Sequence, residues 1–82
     1  MSITVLYFAA VRDLVGKDEE EIELPAGVTS VQALAAHLVA RHPALEGRLG
    51  YVRFACNEEL AQMADPVADG DTIALIPPVA GG

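Results

Sequence analysis

The chain has 82 residues, 52% of them hydrophobic, with twelve acidic against five basic side chains and a formal charge of −7. One domain spanning residues 1–82 is expected, long enough to bury a modest core without metal or disulfide support. The acidic balance argues against nucleic acid and anionic lipid, which are held by lysines and arginines displacing counterions, and favours a protein partner.

Met1 leads directly into Ser2-Ile3-Thr4-Val5-Leu6-Tyr7-Phe8, with no basic leader and no apolar run approaching the ~18 residues of a membrane span. A cytoplasmic location with no membrane contact is therefore expected. Ser2 to Ala9 is apolar on both pleat faces, the pattern of a central strand. After a short stretch from Ala10 to Gly16, Glu21-Ile22-Glu23-Leu24 alternates charged and apolar residues as a half-buried strand does, and Pro25 ends it. The preceding Asp18-Glu19-Glu20-Glu21 reads as a solvated hairpin tip that could steer a basic partner.

Thr29-Ser30-Val31-Gln32 has the form of a capping box in which Thr29 serves the amide of Gln32. The helix that follows carries one apolar stripe through Val31, Leu34, Ala35, Leu38 and His42, and Pro43 stops it. Tyr51 to Cys56 reads as a strand, Asn57-Glu58-Glu59 as a turn, and Leu60 to Met63 as a short apolar return. Asp69-Gly70-Asp71 is a further turn that launches Thr72-Ile73-Ala74-Leu75-Ile76, a second central strand that Pro77-Pro78 terminates. Adjacent first and last strands with one main helix across a face make an α+β mixed sheet of the β-grasp, or ubiquitin-like, kind. Residues 77–82 then form an extended, flexible tail ending in Gly81-Gly82.

The opening block from Val5 to Gly16 and the closing block from Asp69 to Gly82 resemble the small sulfur-carrier subunit of molybdopterin synthase. The capped helix and the Asn57 turn fall where that family places them, so the resemblance spans essentially the whole chain. It implies that the Gly82 carboxylate is adenylated, converted to a thiocarboxylate, and used to sulfurate cyclic pyranopterin monophosphate into the molybdopterin dithiolene. It further implies a large catalytic subunit as partner, in a heterotetramer, together with an E1-like adenylyltransferase and a sulfur donor such as a rhodanese or cysteine desulfurase.

The chemistry of the tail fits that route. A terminal carboxyl has a pKa of about 3.5, so Gly82 is an anion at neutral pH and a poor acyl acceptor until it is activated. The chain holds no G-x-x-x-x-G-K-[ST] phosphate loop, so ATP is expected to be used by the partner enzyme, with no cofactor bound here. The isolated chain is then a carrier or co-substrate without catalytic machinery of its own. Glycine suits positions 81 and 82 because a Cβ would widen the thread and restrict its backbone. Ala80, Val79, Pro78 and Pro77 make the approach that enters the partner, and Phe8 and Leu75 are candidates for an apolar seat, since one short helix cannot cover Tyr7, Phe8, Phe54, Leu75 and Ile76 together.

Other chemistry is weakly indicated. Cys56 is the only cysteine, which excludes an intrachain disulfide, and no Lys or His beside it lowers its pKa, so it reads as a small core hydrophobe. His37 and His42, five residues apart, do not share a helix face and lack the partners of a metal site, so no metal is expected. Arg12, Arg41, Arg48 and Arg53 cannot be ranked as partner contacts. Two other functions end in the same dipeptide: a sulfur carrier for thiazole (thiamine) synthesis, against which the stretch from Phe8 to Gly16 argues, and a ubiquitin-like modifier joined to lysines through Gly82.

Overall fold

The computed structural model describes residues 2–78, so Pro77 and Pro78 of the tail fall inside the described residues and Val79, Ala80, Gly81 and Gly82 fall outside. Five strands form one mixed sheet: β1 (Ser2–Tyr7), β2 (Glu19–Glu23), β3 (Arg53–Cys56), β4 (Glu59–Ala61) and β5 (Thr72–Ile76), in the order β2-β1-β5-β3-β4. The pairing of β1 with β5 is parallel and the others are antiparallel. β1 and β5 are neighbours at the centre, as their apolar sequences require, and the arrangement is the β-grasp.

Helix α2 (Val31–Arg41) covers one face of this sheet. Its buried residues Val31, Leu34 and Leu38 pack against Ile3, Val5 and Tyr7 of β1, Phe54 of β3, and Ile73 and Leu75 of β5 in a single core. Each fully buried aliphatic side chain contributes roughly 1.5–3 kcal/mol, so this face carries most of the folding drive. The helix starts one residue later than the capping box implies: Ser30, not Thr29, is the N-cap, its Oγ accepting the Ala33 N–H at 3.2 Å.

Residues 9–15, read as a plain connection, form a second helix, α1 (Ala9–Val15), which buries Val11 and ends on Gly16 at φ 88° with the Gly16 N–H bonded to the Arg12 carbonyl. Only seven residues long, it lacks the repeated apolar stripe that makes a helix legible. Two short 3₁₀ turns, Pro43–Leu45 and Leu49–Tyr51, precede β3. They delay that strand to Arg53 and leave Tyr51 79% exposed, outside the strand expected for it.

The far end of the sheet is latched by polar contacts. The Ser2 N–H donates to Asp69 Oδ1 at 2.6 Å, and the Gly70 N–H donates to the Ser2 carbonyl at 2.8 Å, which sets the start of β5 beside the start of β1. Asn57 and Glu58 both have positive φ, as a two-residue hairpin between β3 and β4 demands, and Asn57 also accepts the Thr72 N–H.

Candidate functional site

The site is the place where the chain leaves the sheet. β5 is held on both sides, Tyr7 lying opposite Leu75 and Arg53 opposite Ile76. Pro77 and Pro78 follow at once and, lacking N–H groups, cannot extend the ladder. The tail therefore starts from a fixed point at the end of β5.

Two different surfaces flank this root. On the open face of the sheet, opposite α2, strand register places Leu6, Ala74, Ala55 and Leu60 in one row across four strands. Leu60 is 67% exposed, and nearer the root Phe8 and Ile76 are 45% and 36% exposed. Leu75, expected in the apolar seat with Phe8, is instead fully buried at 0%. Alternation along β5 turns it toward α2, and the outward neighbour is Ile76, so the large apolar side chains left exposed here are Phe8, Ile76 and Leu60. The period of two was visible in the sequence, but two apolar faces gave no sign of which one α2 would cover. On the other side of the root a cleft of about 350 Å³ lies between α1 and the second 3₁₀ turn, walled by Val11, Leu14, Val52 and Pro77 and edged by Arg48 and Tyr51.

Cys56 is remote from the root. It sits at the other end of β3 from Arg53, three residues or about 10 Å along the strand. It is partly buried against the core, as expected of a small hydrophobe. Burial and the neighbouring Asp71 carboxylate, whose Oδ2 lies 3.6 Å from Sγ, both push its thiol pKa up. Asp71 itself is held below the usual carboxylate range, chiefly by the Ala68 N–H and by Asn57. A protonated thiol is a poor nucleophile.

The acidic run departs most from its expected role. Glu20 is not at a solvated tip: it lies on the core face of β2, beside Ile22 and opposite Val5, and is 8% exposed. Alternation counted back from Ile22 points it inward, a signal the charge run conceals. Its carboxylate accepts the Tyr7 hydroxyl at 2.7 Å, Lys17 Nζ at 3.2 Å and Arg41 Nε at 3.1 Å, and lies 2.8 Å from His42 Nε2. Burial alone would raise its pKa, but hydrogen bonds from His42, Tyr7, Arg41 and Lys17 outweigh that and hold it at about 2. The same contact works the other way on Tyr7, whose pKa is driven well above the ordinary phenol range by burial and by the adjoining carboxylate. The Tyr7 and His42 rings meet edge to face at 5.9 Å. Lys17, β1, β2 and the C-terminal end of α2 are thus fastened at one carboxylate, and no buried side-chain nitrogen or oxygen among the described residues lacks a partner.

Among the described residues no group of three or more His, Cys, Asp or Glu side chains is placed to hold a metal ion, and no helix is long and apolar enough to cross a membrane.

Comparison with known proteins places these features in a family. The ThiS family matches residues 5–82. The molybdopterin synthase sulfur carrier subunit of Chlamydomonas reinhardtii is 42% identical over 100% of both chains. Among solved structures, SAMP1 from Haloferax volcanii superposes with a TM-score of 0.87 at 30% identity over all of both chains. A chain in the complex of subunits 1 and 2 of molybdopterin-converting factor from Helicobacter pylori superposes at 0.69, with 28% identity over all of both chains. The chain belongs to the ThiS family, and its full-length likeness there is to the molybdopterin synthase sulfur carrier subunits.

Proposed function

We propose that this chain is the sulfur carrier of a molybdopterin synthase and that Gly82 bears the transferred sulfur. The observation that carries the reading is the 42% identity, without overhang at either end, to a relative of that name. The geometry supports it: β5, pinned between β1 and β3, delivers Pro77-Pro78 to a fixed exit four residues before the terminal carboxylate.

The chemistry runs in three steps. An adenylyltransferase joins the Gly82 carboxylate to AMP and releases pyrophosphate from ATP. A persulfide sulfur then displaces AMP, and a thiol reduces the resulting acyl disulfide to leave the thiocarboxylate. Within the large subunit that sulfur bonds to a side-chain carbon of cyclic pyranopterin monophosphate as a C–O bond at the same carbon breaks and its oxygen leaves on phosphate or as water, and water then cleaves the thioester to return the Gly82 carboxylate. Two deliveries complete the dithiolene. Gly81 and Gly82 keep the thread narrow enough for each active site, Val79 and Ala80 extend it, and Phe8, Ile76 and Leu60 seat the large subunit on the open sheet face, a heterotetramer being the expected assembly. All these steps belong in the cytoplasm, where ATP and thiols are at hand.

Incubation with ATP, adenylyltransferase and persulfide donor is expected to add to the intact mass the difference between one sulfur and one oxygen. Removal of Gly82 should abolish both that gain and pterin sulfuration while leaving the melting curve unchanged. Sulfuration that persists without Gly82 would overturn the reading. A ubiquitin-like modifier joined to lysines through Gly82, which would use the same adenylate with an amine as nucleophile, is the reading the relatives' names do not favour, since those names are of sulfur carriers. Conjugates that vanish from host lysate when Gly82 is removed would establish it, and a single free band would exclude it.

A further inference from the structure

Five basic side chains serve this acidic chain, and the structure separates them sharply. Lys17 and Arg41 are committed to Glu20, and Arg12 Nε lies 3.9 Å from carboxylate oxygens of both Asp13 and Asp18. Arg48 and Arg53 are exposed and have no ion-pair partner among the described residues. Both stand at the root of the tail: Arg53 is the register partner of Ile76 on the open face, and Arg48 edges the cleft that Pro77 and Pro78 help to form. The two basic side chains without an ion-pair partner among the described residues therefore lie on either side of the point where the chain leaves the sheet.

Resting on the reading that a large subunit takes in the tail, we propose that Arg53 on one side, and Arg48 with its cleft on the other, form a docking collar for that subunit. The collar fits a surface that presents an apolar side chain to the cleft and a carboxylate to each arginine. Reach keeps the partner close. Four residues beyond Pro78 span at most about 14 Å, so any partner that holds the Gly82 carboxylate must come within that distance of the root. The cleft has apolar walls of Val11, Leu14, Val52 and Pro77, while an arginine and a 79% exposed tyrosine stand at its edge. That is the composition of an interface anchor: an apolar centre ringed by side chains able to close over it. A nucleic acid or free phosphate would satisfy the guanidinium groups but not the cleft, and the charge of −7 would oppose a polyanion. A protein surface supplies both the apolar group and discrete carboxylates.

The test is calorimetric titration of the full-length chain with the purified large subunit of the same organism at low and at high salt. Arg48→Glu and Arg53→Glu are each expected to weaken binding by about tenfold or more at low salt, where like charges meet across the interface, and by less at high salt. Tyr51→Ala should weaken it at both, since an apolar contact is not screened. Thermal melts of all three variants should match the parent, because none of these side chains supports the core. Affinities equal to the parent's would overturn the collar and leave the carrier reading standing. A parent chain that fails to bind the large subunit would overturn that reading, and the collar's stated partner with it.

Discussion

Two corners of the molecule treat charge and apolar surface in opposite ways. At the junction of β1, β2 and α2, a single carboxylate gathers a phenol, an imidazole, a guanidinium and an ammonium, and every partner is satisfied. At the root of the tail, two arginines have no ion-pair partner among the described residues, while Phe8, Ile76 and Tyr51 expose apolar surface. The first corner holds the fold together. The second has bonding capacity that the described residues leave unused, and the contrast shows which polar groups a small domain spends on itself.

Removing the Glu20 carboxylate should break the first corner. Glu20→Ala leaves the buried Tyr7 hydroxyl and the partly buried His42 ring without their partner, whereas Lys17 and Arg41, about half exposed, can turn to water. A cost of about 2–3 kcal/mol follows, near the lower end for a broken buried pair, or a drop on the order of 10–20 °C in melting temperature. Differential scanning calorimetry measures it. A loss below about 0.5 kcal/mol would show that the cluster adds nothing to the fold and would dissolve the contrast.

The same corner should set acid stability. Its carboxyl is held at about 2 against an ordinary 4.5. A depressed native pKa gives stability that is fully present above the unfolded value and is lost as pH falls through the native one. The contribution, about 3 kcal/mol at neutral pH, should therefore disappear progressively from pH 4.5 toward pH 2. Urea unfolding of Glu20→Gln at several pH values should show a lower starting stability and a shallower decline over that window than the parent. Parallel declines would mean that other carboxylates govern acid unfolding.

The two corners were unequally legible in the sequence. The strands, α2 and the tail root could be read because alternation, a 3.6-residue stripe and a diproline are local signals, and the β-grasp follows from their order. Helix α1 was missed because seven residues hold a single buried position, Val11. Glu20 was misread because four consecutive acids look like solvent-facing loop, although Ile22 two residues later fixes the inward face. Leu75 was placed outside because both faces of β5 are apolar and only the position of α2 distinguishes them. The arginines could not be ranked at all: which of them find carboxylates depends on contacts between residues far apart in the chain, such as Arg41 with Glu20. The chemistry of Gly82, by contrast, was argued from residue type and the resemblance alone, since it lies outside the described residues.

A small stability effect is expected at Phe8, and it tests the second corner most directly. Phe8 is the N-cap of α1, with extended φ and ψ and no side-chain capping bond. Ser, Asp or Asn at such a position would bond a free helix N–H and gain about 1 kcal/mol over an apolar residue. A half-exposed phenylalanine there runs against local preference, and such exceptions concentrate where function outweighs the fold. In Phe8→Ser the new cap should offset most of the lost partial burial, leaving stability within about 1 kcal/mol of the parent. Affinity for the large subunit should nevertheless fall by about tenfold or more, since an aromatic anchor is removed from the open face. A variant clearly destabilised but unchanged in binding would assign Phe8 to the core and make the second corner structural, as the first one is.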